Sequence, residues 1–199
     1  MDTTFKTRPL SWSQLSSFAW DKEQWYDRYI LGNKSPDTPE LIFGKIFANS
    51  CEIRQPLAPV TLLKEMEKAF KVAFAGIHLT GFADTYKKTI IGEYKTGAKP
   101  WDQKRVDTHG QITMYALMNY ITYKIKPDDC IFFLEWIPTE KVPRNNGDFS
   151  GFDYDIKFQQ PIRVEHFKTK RTMKDILEFG QYIIKTVKEM EEFAKQKDS

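Results

Sequence analysis

Asp84 precedes a Glu93-x-Lys95 pair within the stretch GFADTYKKTIIGEYKTGAKPW, residues 81–101. The stretch alternates as two short β-strands do. On the second strand Ile91, Glu93 and Lys95 point one way, and Gly92 and Tyr94 the other. On the first, Thr80, Phe82, Asp84 and Tyr86 share a face. A turn between Lys88 and Thr89 brings Asp84 opposite Glu93. Lys-Lys-Thr is a poor tight turn, and a slip of one residue would undo the pairing. Carboxylates facing each other across a ladder repel by up to about 1 kcal/mol when solvated, and by more when buried. A divalent cation compensates economically, because Mg²⁺ is usually held by one or two carboxylates plus waters and phosphate oxygens. The backbone carbonyl of Tyr94 offers a further oxygen ligand, and Lys95 can hold a water or a charge developing on phosphate. Such a set suits hydrolysis of a phosphodiester. The same residues also suit an ordinary solvated face, and the pattern of D, E and K alone leaves both readings open.

The elements that must position these residues follow from periodicity and punctuation. PLSWSQLSSFAWDKEQWYDRYILG reads as one helix, with Ser11 or Ser13 as N-cap and Gly32 as its stop. ELIFGKIFANSCEIRQ reads as a second helix, ended by Pro56. Residues 62–70 are ambiguous between helix and the entry to a strand. AFKVAFAG and IHLTGFADTYKK alternate as strands, and TIIGEYKTG continues them. Residues 103–123 form the clearest helix, CIFFLEWI is a buried-strand pattern, and GFDYDIKF with IRVEHF suggests a late hairpin or edge pair. Residues 172–195 make a long amphipathic helix. This order predicts an α/β chain with an α+β-like arrangement, a central mixed β-sheet flanked by helices. The length of 199 residues predicts a single domain over 1–199.

Composition narrows the function classes. The chain is 41% hydrophobic and 29% charged, with 30 Lys+Arg against 27 Asp+Glu and a formal net charge of +3. That balance permits a nucleic-acid partner where the basic residues cluster, without requiring one. The two cysteines, Cys51 and Cys130, are far apart and belong to no CxxC. They exclude a disulfide framework and a four-cysteine metal site within the chain, and fit a reducing cytoplasm. No apolar run reaches membrane-spanning length, and MDTTFKTRPLSW lacks the apolar block of a signal peptide. Glycine-rich phosphate loops, nucleophile elbows and zinc spacings are absent from the sequence.

GFADTYKKTIIGEYKTG followed by HGQITMYA resembles the RecB-like and Cas4-like branch of the PD-(D/E)XK nuclease superfamily. The branch carries G-x-x-D, then [DE]-x-K-T-G on the next strand, then Q-x-x-x-Y on the following helix. Here these are Gly81 and Asp84; Glu93, Lys95, Thr96 and Gly97; and Gln111 and Tyr115. LSWSQLSSFAWDKEQWYDRYILG also resembles the branch's N-terminal helix, so the likeness extends over most of the chain. It implies a restriction-endonuclease-like core and a nuclease acting on DNA with Mg²⁺ or Mn²⁺ bound by Asp84 and Glu93. Lys95 would position the water, and Gln111 and Tyr115 would contact DNA or support the site. Four residues apart, Gln111 and Tyr115 lie on one helical face. The family often has a histidine on its second helix, where this chain has Ala48. Glu52, one turn later, is either a replacement ligand or a surface residue. Relatives with an iron–sulfur cluster use four cysteines, so no cluster is expected.

Further positions carry two readings each. Trp101 sits beside Lys99, Lys104 and Arg105, where it would either stack on an unpaired base or fold onto the domain. HFKTKRTMK holds Lys168, Lys170, Arg171 and Lys174, either phosphate contacts or a solvated helix start. His109 reads as packing in preference to substrate contact. The expected function is a metal-dependent deoxyribonuclease, acting as an exonuclease at DNA ends in recombination or repair, in a bacterial or virus-infected cell. The alternative is a non-catalytic DNA-binding or protein-interaction module that keeps the nuclease fold.

Overall fold

The computed structural model describes residues 9–33, 35–144 and 153–197. Helices α1 (Trp12–Trp20), α2 (Lys22–Tyr29) and α3 (Pro39–Glu52) precede strands β1 (Glu65–Phe74), β2 (Ile77–Lys87) and β3 (Ile90–Gly97). Helices α4 (Gln103–Asp107) and α5 (Gly110–Tyr123) lead to β4 (Ile131–Pro143), β5 (Tyr154–Phe158), β6 (Glu165–Thr169) and α6 (Met173–Lys197). The six strands form one mixed sheet in the order β1-β2-β3-β4-β5, with β6 also on β4. β3 and β4 run parallel, which requires the crossover through α4 and α5; every other pairing is antiparallel. The expected α/β class and helix-flanked mixed sheet are what the chain forms.

The turns explain the register. Ala75 (φ 50°) and Gly76 (φ 79°) both adopt left-handed backbone, which matches the twist of a two-residue hairpin between β1 and β2. Lys87 pairs with Ile90, so Lys88 and Thr89 form the β2–β3 turn as expected. Lys88 takes the strained conformation (φ 48°), and Asn119 of α5 donates to its carbonyl at 3.3 Å.

Four local expectations are corrected. Residues 12–29 are two helices: Asp21 is extended and its carboxylate accepts from Gln24 N, capping α2 in place of continuing α1. α3 ends at Glu52, before Pro56, where Arg54 turns left-handed at φ 59°. Residues 103–123 likewise divide into α4 and α5. β5 and β6 pair with successive stretches of β4 and not with each other. The ambiguous segment resolves as strand from Glu65 onward.

The two faces of the sheet bury different helices. Ile91, Phe132, Leu134 and Trp136 pack into the larger core with α1, α2, α5 and α6. Tyr94, Phe133 and Ile137 point the other way and pack with Phe47 and Cys51 of α3. Glu93 therefore belongs to the face covered by α5, while α3 closes the opposite one.

Candidate active site

β2 and β3 form a fork. Their ladder covers only Lys87–Ile90, Tyr86–Ile91 and Thr85–Gly92. Continued by one step, this register sets Asp84 opposite Glu93, but here the strands part. The Asp84 carboxylate fills the gap, with Oδ2 accepting the Tyr94 N–H at 2.6 Å. The N–H and C=O of a strand residue point to the same edge, so the Tyr94 carbonyl faces the fork too. Asp84, Glu93, Tyr94 and Lys95 line a cleft of about 370 Å³, closed on its other side by Gly44, Phe47 and Ala48 of α3.

α5 supports the fork from beneath. Lys95 Nζ donates to Glu93 Oε1 at 2.5 Å and to Gln111 Oε1 at 2.9 Å. Gln111 Nε2 donates to the Tyr115 hydroxyl at 2.6 Å. That hydroxyl contacts Glu93 Oε2 at 3.0 Å and the Phe82 carbonyl, so one proton serves two acceptors. Gly81 makes this approach feasible, because a Cβ there would lie 2.7 Å from Met118 Cε and 3.2 Å from Tyr115 Cε1. The structure thus brings together Asp84, Glu93, Lys95, Gln111 and Tyr115, and gives the glycine of G-x-x-D a packing reason.

The electrostatics are those of a crowded anionic site. Burial and the charge of Glu93 push the Asp84 carboxyl well above the ordinary range, despite the opposing pull of Lys95 and the Tyr94 hydrogen bond. For Lys95, burial works against the charge, but Glu93 and Asp84 outweigh it and raise the ammonium's pKa. The Tyr115 phenol is also raised well above its usual value, by burial and then by Glu93 and Asp84.

Glu67 is the participant that sequence reasoning missed. It lies between Met66 and Lys68, whose β2 partners Thr85 and Ala83 flank Asp84, at φ 48°, and its pKa is raised by burial, Glu93 and Glu52. No signal identified it, because its segment was undecided between helix and strand. Glu52 is exposed at the end of α3 and does not line the cleft, whereas Ala48 does. Among the described residues, no three His, Cys, Asp or Glu side chains gather as a group able to hold a metal ion.

The outlying candidates separate. Arg171 is corrected: it is 3% exposed and donates to Thr113, Thr169, Lys170, Val106 and His109, so it clasps α4 and α5 to β6 and is not open to phosphate. Lys99, Lys104 and Lys170 are exposed. Trp101 folds onto the core, with the Arg105 guanidinium 3.7 Å above its ring and His109 packed edge-on at 4.9 Å. His109 is held neutral, at a pKa of about 3, by burial and then by Lys95, Arg171 and Arg105. It packs as expected.

No family model and no curated protein matches the chain. Among solved structures, the chain is similar to a crystal structure of a presumed exonuclease from Eubacterium rectale. The TM-score is 0.59 at 12% identity, over 94% of this chain and 82% of the other. At that identity the likeness establishes a shared fold. Among the described residues, no helix is long and apolar enough to cross a membrane.

Proposed function

We propose that the chain is a metal-dependent DNA nuclease, with Asp84 and Glu93 as the carboxylate ligands of Mg²⁺ or Mn²⁺. One observation carries this reading: two carboxylates, an ammonium and an amide converge where two strands part, in a cleft and not on a solvated face. The fold shared with a presumed exonuclease supports it. The donor set fits a hard cation: two carboxylates and the Tyr94 carbonyl supply oxygens, and the remaining positions suit water and phosphate oxygen. A cation bound there would neutralise phosphate charge and acidify a water.

The chain's own residues have separate tasks. Asp84 must be ionised to act as a ligand, against burial and the charge of Glu93, which both raise its pKa. Lys95 stays protonated and is steered by Glu93 and Gln111 toward the cleft, where it can hold the attacking water or the charge growing on the phosphate. Gln111 and Tyr115 position Lys95 and Glu93. Exposed Lys99, Lys104 and Lys170 are the candidates for contacts to the DNA backbone. Action at DNA ends, in recombination or repair within the cytoplasm, is the role that the resemblance to the RecB-like branch favours. No iron–sulfur cluster enters the proposal.

A second reading, a DNA-binding or protein-interaction module, is favoured by the two-carboxylate donor set and by Ala48. Cleavage of linear single- and double-stranded DNA with Mg²⁺, Mn²⁺ or EDTA decides between them. Metal-dependent shortening of labelled strands is expected. Tight DNA binding without cleavage in either metal would establish the module.

A further inference from the structure

A second cleft, of about 460 Å³, opens on the other side of Lys95, between the start of α1 and β2. Lys95, Gln111 and Tyr115 form its inner wall, so it is continuous with the fork. Its outer walls are Ser11, Trp12, Ser13 and Ser16 on one side and Thr80 to Phe82 on the other. Phe82 is 50% exposed, although it lies two residues before Asp84 in a central strand. Its backbone is fixed, because its carbonyl takes the Tyr115 hydroxyl and Gly81 is packed against Met118. Among the described residues, Lys95 is the one formally charged side chain in the lining, since His109 is neutral. A duplex needs cations along two backbones, whereas an unpaired base needs an aromatic face and little charge.

We infer that this cleft receives one unpaired nucleobase, stacked on Phe82, from the nucleotide next to the cleaved phosphate. The inference rests on the nuclease reading of the fork and adds a substrate preference to it: the strand must be single, or frayed, over that nucleotide. The hydroxyl-lined wall opposite, Ser11, Ser13 and Ser16, suits the polar edges of a base and its sugar without selecting a sequence.

The test measures binding apart from cleavage. Affinity for fluorescent single-stranded oligonucleotides and for blunt duplexes is read in EDTA, using the full chain and its Phe82→Ala, Phe82→Leu and Phe82→Trp variants. Cleavage is read separately with Mn²⁺. Loss of one base–aromatic stack predicts about a tenfold weaker single-strand affinity for Phe82→Ala and Phe82→Leu, with Phe82→Trp close to wild type. Moving a single abasic site along the strand should reproduce that loss in wild type at one position only, and add nothing in Phe82→Ala. If the wild type cuts DNA while Phe82→Ala binds and cuts single strands normally, the base site is refuted and the nuclease reading stands. A position-specific abasic effect that depends on Phe82, without cleavage in any metal, would keep the base site and refute the nuclease. Equal loss for strand and duplex at every abasic position would make Phe82 merely structural and overturn the inference.

Discussion

Glu93 and Glu135 are each 3% exposed and sit on neighbouring strands of the same sheet. Their surroundings could hardly differ more. Glu135 faces the α3 side, where donors meet it: Thr61 N at 2.8 Å, Thr61 Oγ1 at 2.6 Å and His166 Nδ1 at 2.9 Å. It ties the segment before β1 and strand β6 to β4. Glu93 takes Lys95 and Tyr115, yet its charge adds to burial in raising the pKa values of two other acids, Asp84 and Glu67. Burial of a charge alone therefore marks nothing. A buried carboxylate surrounded by donors is architecture. One that shares a cleft with a second carboxylate holds unspent repulsion, which is what a cation would relieve.

The comparison breaks most sharply in activity. Glu93→Gln and Asp84→Asn should remove metal-dependent cleavage while the fold stays intact, since each keeps an acceptor but loses a ligand charge. Lys95→Ala should slow single-turnover cleavage by roughly two to three orders of magnitude, the loss typical for one preorganised donor. DNA affinity at the same salt should change far less, because contacts made only in the transition state affect rate. A native cleavage rate in Glu93→Gln or Asp84→Asn would remove those residues from the site. A large affinity loss with an unchanged saturating rate would make Lys95 a phosphate anchor.

The contrast was only half legible in the sequence. The β2–β3 register could be read, because alternation fixes which side chains share a face and the turn leaves room for two residues. Gln111 and Tyr115 came from the resemblance, and their spacing on the helix agrees with it. The fork itself was not readable: strand splay depends on Tyr115 and the Asp84 carboxylate replacing ladder hydrogen bonds, and no local pattern records that. Glu67 was hidden by an undecided segment. Arg171 was misjudged because a run of basic residues shows charge and not burial; here the third basic residue of KTKR turns inward to donate to the Val106 carbonyl of α4. The breaks at Asp21 and between α4 and α5 were hidden for a related reason, since apolar periodicity continues across a change of helix axis.

Stability should invert the contrast. Glu135→Gln replaces a pure acceptor with a group that must direct an NH₂ toward a donor, and leaves a buried N–H or hydroxyl without its partner. It should cost about 1–3 kcal/mol in denaturant unfolding. Cleavage per folded molecule should be that of wild type. If Glu135→Gln unfolded at the same denaturant concentration as wild type, the network to Thr61 and His166 would not be structural.

The smallest effect expected is in the pH dependence of the metal-free protein. The folded state holds the Asp84 proton more tightly than the unfolded chain, whose aspartates titrate near about 3.9. Between that value and the raised one the native state binds more protons, so stability must fall as pH rises through the window. Lys95 adds no slope there: its raised pKa gives stability that is fully present below about 10.4, the ordinary lysine value, and is lost only at higher pH. Asp84→Asn keeps an oxygen acceptor for Tyr94 N–H and cannot ionise. Melting curves in EDTA from pH 4 to 8 should therefore diverge, the variant gaining on wild type as pH climbs. Each kcal/mol should appear as about 2–4 °C at this chain length. Adding Mn²⁺ at pH 8 should reverse the order, raising the wild type and leaving Asp84→Asn nearly unmoved. Parallel curves in EDTA would mean that the two carboxylates do not oppose each other, and an equal Mn²⁺ shift in both proteins would place the cation elsewhere.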